Sequence, residues 1–392
     1  MPASSPNRSY AELWSDFLAL CECGGRQAGT ASEAEALRFA FERLSELGAV
    51  KKLPVAYPGW RLHESSLSIN DGTSLVCNPL LGSQSTEGIE AEVIDLGRGS
   101  REEFERHAAK IPGRLVLVRH EYPFSAEHTH RRRKLGWAME FGAAGFVIAN
   151  PVPGAGPVCG SSGRAGGAGI PAVATDCESA ARLSGRARLK VIGEDYAAET
   201  SVLVLDLPGR SGRWVVLSAH LDGHSLAESA MDNATGVAAV LAVARALAPC
   251  ITQCEHGLRV CLFSAEEWAL AGSSRYVSTM TESERDSIVL NVNLDTVAGD
   301  SHLTALTSDF SALEAFVRPL PAYSPMMPNS DHYSFARHGI PALRLVAGFG
   351  RAQSNVRHIL TRGDTRDKVA RQDLEAAVHV ATDLVARALS DL

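Results

Sequence analysis

The chain has 392 residues, 45% hydrophobic and 21% charged, and its 38 basic and 45 acidic residues leave a net charge of −7. That is the composition of a globular protein too long for one compact core, so two domains are expected. The acidic balance argues against nucleic acid as a partner, and the sequence reads as having no 18-residue apolar stretch that would span a membrane.

The N-terminal stretch from Met1 to Tyr10 lacks an apolar signal core and leads into a helix-like segment from Ala11 to Leu20. A cytoplasmic location is therefore expected. Eight cysteines are spread thinly, and Cys21-x-Cys23 and Cys250-x3-Cys254 lack the paired spacing of a structural zinc site. They read as reduced thiols.

Residues 1–50 look helical. Residues 51–85 look like short strands broken at Pro58-Gly59 and at Asn70-Asp71-Gly72, the second a hairpin-turn signal. A different unit begins near Glu90. Its strands are Val93–Leu96, Leu115–Val118 and Phe146–Ala149, with a basic helix through Arg131-Arg132-Arg133-Lys134 to Phe141. A Gly/Pro/Ser-rich loop from Pro151 to Gly169 is long enough to be a lid or mobile rim, and Ile170-Pro171-Ala172-Val173 follows it. Residues 200–392 alternate strands with helices, the pattern of a parallel sheet.

Within that last region, chemistry gathers at strand ends. The apolar run Trp214-Val215-Val216-Leu217 delivers His220 and Asp222. Residues i and i+2 share one strand face, so Asp222 can orient the imidazole of His220. Met231-Asp232-Asn233-Ala234-Thr235-Gly236 then reads as a helix start, where backbone N–H groups favour negative charge. The buried strand Leu258–Ser264 ends in Ala265-Glu266-Glu267, and Ser287–Leu294 ends in Asp295. In open α/β sheets the ligand crevice lies outside the carboxyl ends of the strands. His220, Asp232, Glu267 and Asp295 would converge there as metal ligands, with Glu266 left as a base. Taken singly, each has a bland alternative. His220 with Asp222 could be a satisfied core histidine, and Glu266-Glu267 a solvated first turn.

The order H-L-D, D-N-A-T-G, E-E, N-L-D and then S-D-H-Y-S-F-A-R-H-G-I-P (Ser330 to Pro341) resembles the M28 family of zinc aminopeptidases, which also contains glutamate carboxypeptidase. The middle unit, with P-G-R-L-V-L-V, G-A-A-G-F-V-I-A-N and G-I-P-A-V, resembles a protease-associated domain inserted before the catalytic core. The resemblance implies a mixed, mostly parallel α/β sheet sandwiched by helices, with a smaller α/β insertion. The expected division is a core segment at 1–87, the insertion at 88–190 and the catalytic domain at 191–392. The resemblance also implies that His220, Asp232 and Asp295 bind one zinc, that Asp232 bridges to a second held by Glu267, that Glu266 is the general base, and that Asp222 orients His220.

One motif departs from the family. Asp364-Thr365-Arg366-Asp367-Lys368-Val369 matches the closing D-T-x-D-K-V, but Leu360 stands where the last zinc-binding histidine should be. His358, two residues earlier, is the first candidate to replace it, with His332 and His224 as others. His224, Asp331 and His332 could also touch substrate or support the ligands. The expected activity is aminopeptidase hydrolysis of a peptide or small amide substrate with one or two zinc ions, by metal-activated water. Two readings stay open. One is non-peptidase amide chemistry of the glutaminyl-cyclase kind with one zinc, and the other an inactive binding or scaffold protein. Homo-oligomer formation is compatible with all three.

Overall fold

The computed structural model describes residues 7–391 apart from residue 165. Residues 1–6, the start of the stretch read for a signal, lie outside it. The chain divides into two compact units. The first comprises residues 1–57, 199–359 and 364–392, and the second residues 58–198 and 360–363. These boundaries differ from the expected 1–87, 88–190 and 191–392. The reason is that two long strands, Val50–Ile69 and Arg186–Leu207, carry the chain from one unit into the other, so each break falls inside a strand. Pro58-Gly59 does not interrupt the first of these. A Cβ on Gly59 would come within 2.7 Å of the Tyr196 ring, so glycine here admits a close neighbour rather than a turn. The Asn70-Asp71-Gly72 turn does form, with Gly72 at φ +81° and Leu67 pairing Leu75 across it.

In the first unit the sheet runs in the order Ala322–Tyr323, Leu303–Leu306, Ala342–Ala347, Ile288–Leu294, Trp214–His220, Gly257–Phe263 and the end of Arg186–Leu207. The four strands Ala342–Ala347, Ile288–Leu294, Trp214–His220 and Gly257–Phe263 are mutually parallel. Antiparallel neighbours flank them, so the sheet is mixed and mostly parallel at its centre. Every residue of Ile288–Leu294 is buried, and all but one of Gly257–Phe263. That is how a strand covered on both faces reads. Phe263 pairs with His220 and Asn293 with Ser218, so three strands end level with one another. A core of Val204, Val216, Cys261, Phe263, Phe335 and Ile340 lies beneath those ends.

The helix Thr235–Leu247 is buried at nearly every position, and the helices Asn7–Glu22 and Arg371–Asp391 pack against it. The apolar run Ala230–Gln253 is, by length and composition, long enough to cross a membrane, which corrects the reading that no such stretch exists. Here 72% of its most apolar window is buried as a core helix. In the second unit Thr86–Asp95, Leu115–Arg119, Gly145–Ala149 and Ala172–Thr175 form a parallel sheet. Its Gly/Pro/Ser-rich loop is buried from Val158 to Ser161, and Cys159 N–H donates to the Leu360 carbonyl at 2.8 Å. All eight cysteines are free thiols.

Gly236 sets how closely the Asp232 turn can approach the neighbouring strand. A Cβ there would lie 2.2 Å from the Leu294 carbonyl oxygen and 2.2 Å from Asn233 Oδ1. Gly236→Ala should therefore destabilise the protein by about 1–3 kcal/mol, the usual cost of overpacking, measured by urea unfolding.

Candidate metal centre

His220 is the last residue of its strand, and its ring is fixed by main chain. Nδ1 lies 3.0 Å from the Asp222 carbonyl oxygen. That oxygen only accepts, so Nδ1 carries a hydrogen, and Nε2 is the nitrogen whose lone pair a metal would take from the neutral ring. Nε2 is 3.1 Å from Asp232 Oδ1 and 3.4 Å from Asp295 Oδ1. Asp222 thus orients His220, but through its carbonyl rather than its side chain, whose Oδ1 is 3.7 Å from Nδ1. The Asp222 carboxylate instead accepts the backbone N–H of Glu266 at 3.0 Å and of Glu267 at 3.2 Å. It therefore ties the end of one strand to the turn leaving the next.

Asp232 lies in the short kinked segment Ala230–Ala234, ahead of the regular helix, with φ −117° and ψ 84°. It is not a first-turn helical residue, as the sequence had suggested. Its N–H and that of Met231 are taken up by the buried Asp364 carboxylate, at 3.2 and 2.7 Å. Burial pushes Asp364 up to about 7, Asp232 adds to this, and the two N–H donors oppose it. Asn233 completes the turn by donating to the Leu294 carbonyl at 3.0 Å and accepting from Gly236 N–H at 2.9 Å.

The two oxygens of Asp232 face different imidazoles. Oδ1 faces His220, while Oδ2 is 3.9 Å from His224 Nε2. His224 Nε2 is in turn 2.6 Å from Glu267 Oε1. Two sets of ligand atoms result, His220 with Asp232 and Asp295, and His224 with Asp232 and Glu267, each set within 4.8 Å. His220, Glu266 and Glu267 form a third such group, so Glu266 stands beside both. One imidazole and two carboxylates, with one carboxylate shared, suit two zinc-like ions. Asp295 keeps Oδ1 towards His220 because Oδ2 is engaged by Arg344 at 3.1 Å and by the Ser330 hydroxyl at 2.5 Å.

The electrostatics follow from burial. Desolvation opposes ionisation of Asp232 and Asp295, but His220 with His224 in the first case, and Arg344 with His220 in the second, hold both below the usual carboxylate range. Glu266 goes the other way. Burial pushes it well up, Glu267, Asp331 and Asp295 add to the push, and His220 opposes it. For His220, burial disfavours the cation, yet Glu266, Asp295, Asp222 and Asp232 outweigh it and raise the ring well above its ordinary value.

The remaining candidates fall outside these ligand sets. Asp331 is buried, and its carboxyl is pushed up to about 7 by burial and by Asp222 and Asp295 against His220 and Ser273. His332 is buried and held neutral, its value brought down to about 3 by burial and then by Arg344. His358 is a correction. It ends the short helix Asn355–His358, its Nε2 3.4 Å from Arg357 Nε, and it belongs to none of the ligand groups among the described residues. Leu360 has φ +62°, and its carbonyl also accepts from Cys159 Sγ at 3.1 Å, which fixes that turn.

Sequence reasoning missed Arg26 and Arg344. Arg344 is a lone cation inside the apolar strand Ala342–Ala347, a pattern that could have signalled a buried anionic partner. Nothing local marks Arg26.

Residues 203–385 match the profile of peptidase family M28. This part of the chain is similar to that family. The M28 region includes every residue of the two ligand sets. The chain is 26% identical over 335 residues to aminopeptidase YwaD of Bacillus subtilis, covering 83% of this chain and 68% of that protein. It superposes on a zinc aminopeptidase structure from Bacillus subtilis with a TM-score of 0.75 and 23% identity, over 100% of this chain and 97% of that one. A peptidase M28 precursor from Shewanella amazonensis gives a TM-score of 0.76 at 21% identity, over 98% and 93% of the two chains. The fold is therefore that of M28 aminopeptidases.

Asp222→Asn should separate its two roles. One backbone N–H at Glu266-Glu267 loses its acceptor, costing about 1–3 kcal/mol. In the zinc-loaded variant, ¹⁵N NMR should still find the His220 hydrogen on Nδ1, since the acceptor there is main chain.

Proposed function

We propose that this protein is a zinc-dependent aminopeptidase. The observation that carries the reading is Asp232, whose two oxygens each face a different histidine, with the buried carboxyl of Glu266 beside both ligand sets. His220, Asp232 and Asp295 would hold one zinc, and Asp232 with Glu267 would take part in holding another. Zinc bound there supplies Lewis acidity to a water and to the scissile carbonyl. The residues of the chain do the rest. Glu266 is pushed up by burial, a push that cations at the ligand sets would oppose; as the carboxylate it accepts a proton from the attacking water and returns it to the leaving amine. The Asp222 carboxylate holds the Glu266-Glu267 backbone so that the base and the ligand stay in register. Arg344 and Ser330 keep Asp295 ionised and aimed at His220.

The proposed substrate is a peptide or small amide, in keeping with the aminopeptidase that the chain resembles over 83% of its length. We also propose that the second unit is a protease-associated insertion. Its P-G-R-L-V-L-V and G-A-A-G-F-V-I-A-N segments pair as parallel strands, Leu115 opposite Gly145 and Val118 opposite Ile148.

Glu266→Gln tests the role of the base. The variant keeps its shape and its zinc, and its turnover of an aminoacyl anilide should fall by about 10²–10⁴-fold, the usual worth of general base catalysis. Near-normal turnover with zinc retained would show that Glu266 is not the base.

A further inference from the structure

We infer that His224 completes the second metal position, in place of the closing-motif histidine where this chain has Leu360. The inference rests on the metallo-hydrolase reading and deepens it. Glu267 and the shared Asp232 give the second ion only two protein groups, whereas a catalytic zinc ordinarily has three and an open position. His224 Nε2 supplies the third. It lies 2.6 Å from Glu267 Oε1 and 3.9 Å from Asp232 Oδ2, and the three ligand atoms fall within 4.8 Å of one another.

The loop that carries His224 is built to present it. Arg26 is fully buried. Its guanidinium donates to the carbonyls of Leu221 at 3.0 Å, Glu228 at 2.7 Å and Ser229 at 2.7 Å, which brackets residues 222–227. It also donates to Leu20 and Gly24, at 3.1 and 3.0 Å, anchoring the loop to the N-terminal segment. His224 N–H donates to Ser229 Oγ at 2.8 Å, and Ser229 turns the chain in the left-handed region at φ +49°. Gly25 lies against the same loop so closely that a Cβ on it would sit 1.8 Å from the His224 carbonyl oxygen. Through Nε, Nη1 and Nη2 the planar guanidinium engages five carbonyls, three of them at Nη1, in a fixed geometry that an ammonium cannot reproduce.

Both imidazoles therefore come from one loop, His220 from the strand end and His224 from four residues further on. In this chain the imidazole of the second metal position comes from residues 220–229 and not from the closing motif. Arg26 acts as a positioning residue, and Arg26→Lys should weaken the second zinc while leaving Glu266 chemically intact.

The test is metal stoichiometry and affinity, independent of turnover. Apo protein is titrated with zinc and, separately, with cobalt(II), read by metal analysis and by the visible cobalt bands. Wild type and His358→Ala should each bind two ions. His224→Ala and His224→Gln should hold one ion as wild type does, and the second more than about 100-fold more weakly, since losing even an outer-shell partner costs about 10–100-fold. His224→Cys, which restores a zinc ligand, should recover the second ion, and this rescue keeps the test decisive if truncation perturbs folding. Two equally tight ions in His224→Ala and His224→Gln overturn the inference, as does a drop to one in His358→Ala. One ion in wild type overturns it while leaving the hydrolase reading intact. No zinc in wild type overturns both.

Discussion

The constraint on which the first unit depends is the burial of carboxylates beside one another. Asp222, Asp232, Glu266, Glu267, Asp295 and Asp331 are all buried at or next to the same strand ends. Two like charges about 4 Å apart repel by about 4 kcal/mol at the effective dielectric of a protein. Such a cluster is sustained only by opposite charge, by hydrogen bonds to the ionised form, or by protonation. The structure uses all three. Arg344 faces Asp295, backbone N–H groups cap Asp222 and Asp364, and burial drives Glu266 towards its neutral form. Divalent cations at the two ligand sets would supply the remaining positive charge, and this is why the donor chemistry reads as a metal centre rather than as a satisfied core.

That cluster has to be held open against its own repulsion, and the fold does so with main chain. Three parallel strands end level, so His220, the turn after Phe263 and Asp295 emerge at one edge. Asp222 then bonds across from one strand end to the next. Asp364 reaches back from the C-terminal segment to the Asp232 turn, and Arg26 gathers the carbonyls of the histidine loop. Asn291, Ser218, Asn293 and Ser330 form a buried hydrogen-bonded line that ends at Asp295. Side chains that never touch a substrate thus fix the atoms that would.

Much of this was legible in the sequence where the signal is local. Apolar runs ending in histidine or carboxylate identified three strand ends, and the order of the motifs pointed to the M28 fold. What the sequence could not show depends on distance along the chain. Arg26 meets the Leu221 carbonyl 195 residues away, and Asp364 meets Met231 N–H 133 residues away. The role of the Asp222 carboxylate was hidden for the same reason, since its partners lie on another strand. Which of His224, His332 and His358 lies beside Asp232 and Glu267 depends on loop geometry. Spacing favoured His358, but the segment folds as a short helix that leaves this ring beside Arg357. The unit boundaries were missed because Val50–Ile69 and Arg186–Leu207 continue through the points where composition changes.

The central claim is that carboxylate and imidazole groups at these strand ends, and no thiol, form the metal centre. Zinc-edge X-ray absorption on the zinc-loaded wild-type protein tests it most directly. The account predicts a first shell of nitrogen and oxygen at about 2.0–2.2 Å with imidazole scattering beyond it. A shell containing sulfur at about 2.3 Å would place the metal on cysteines instead and contradict it.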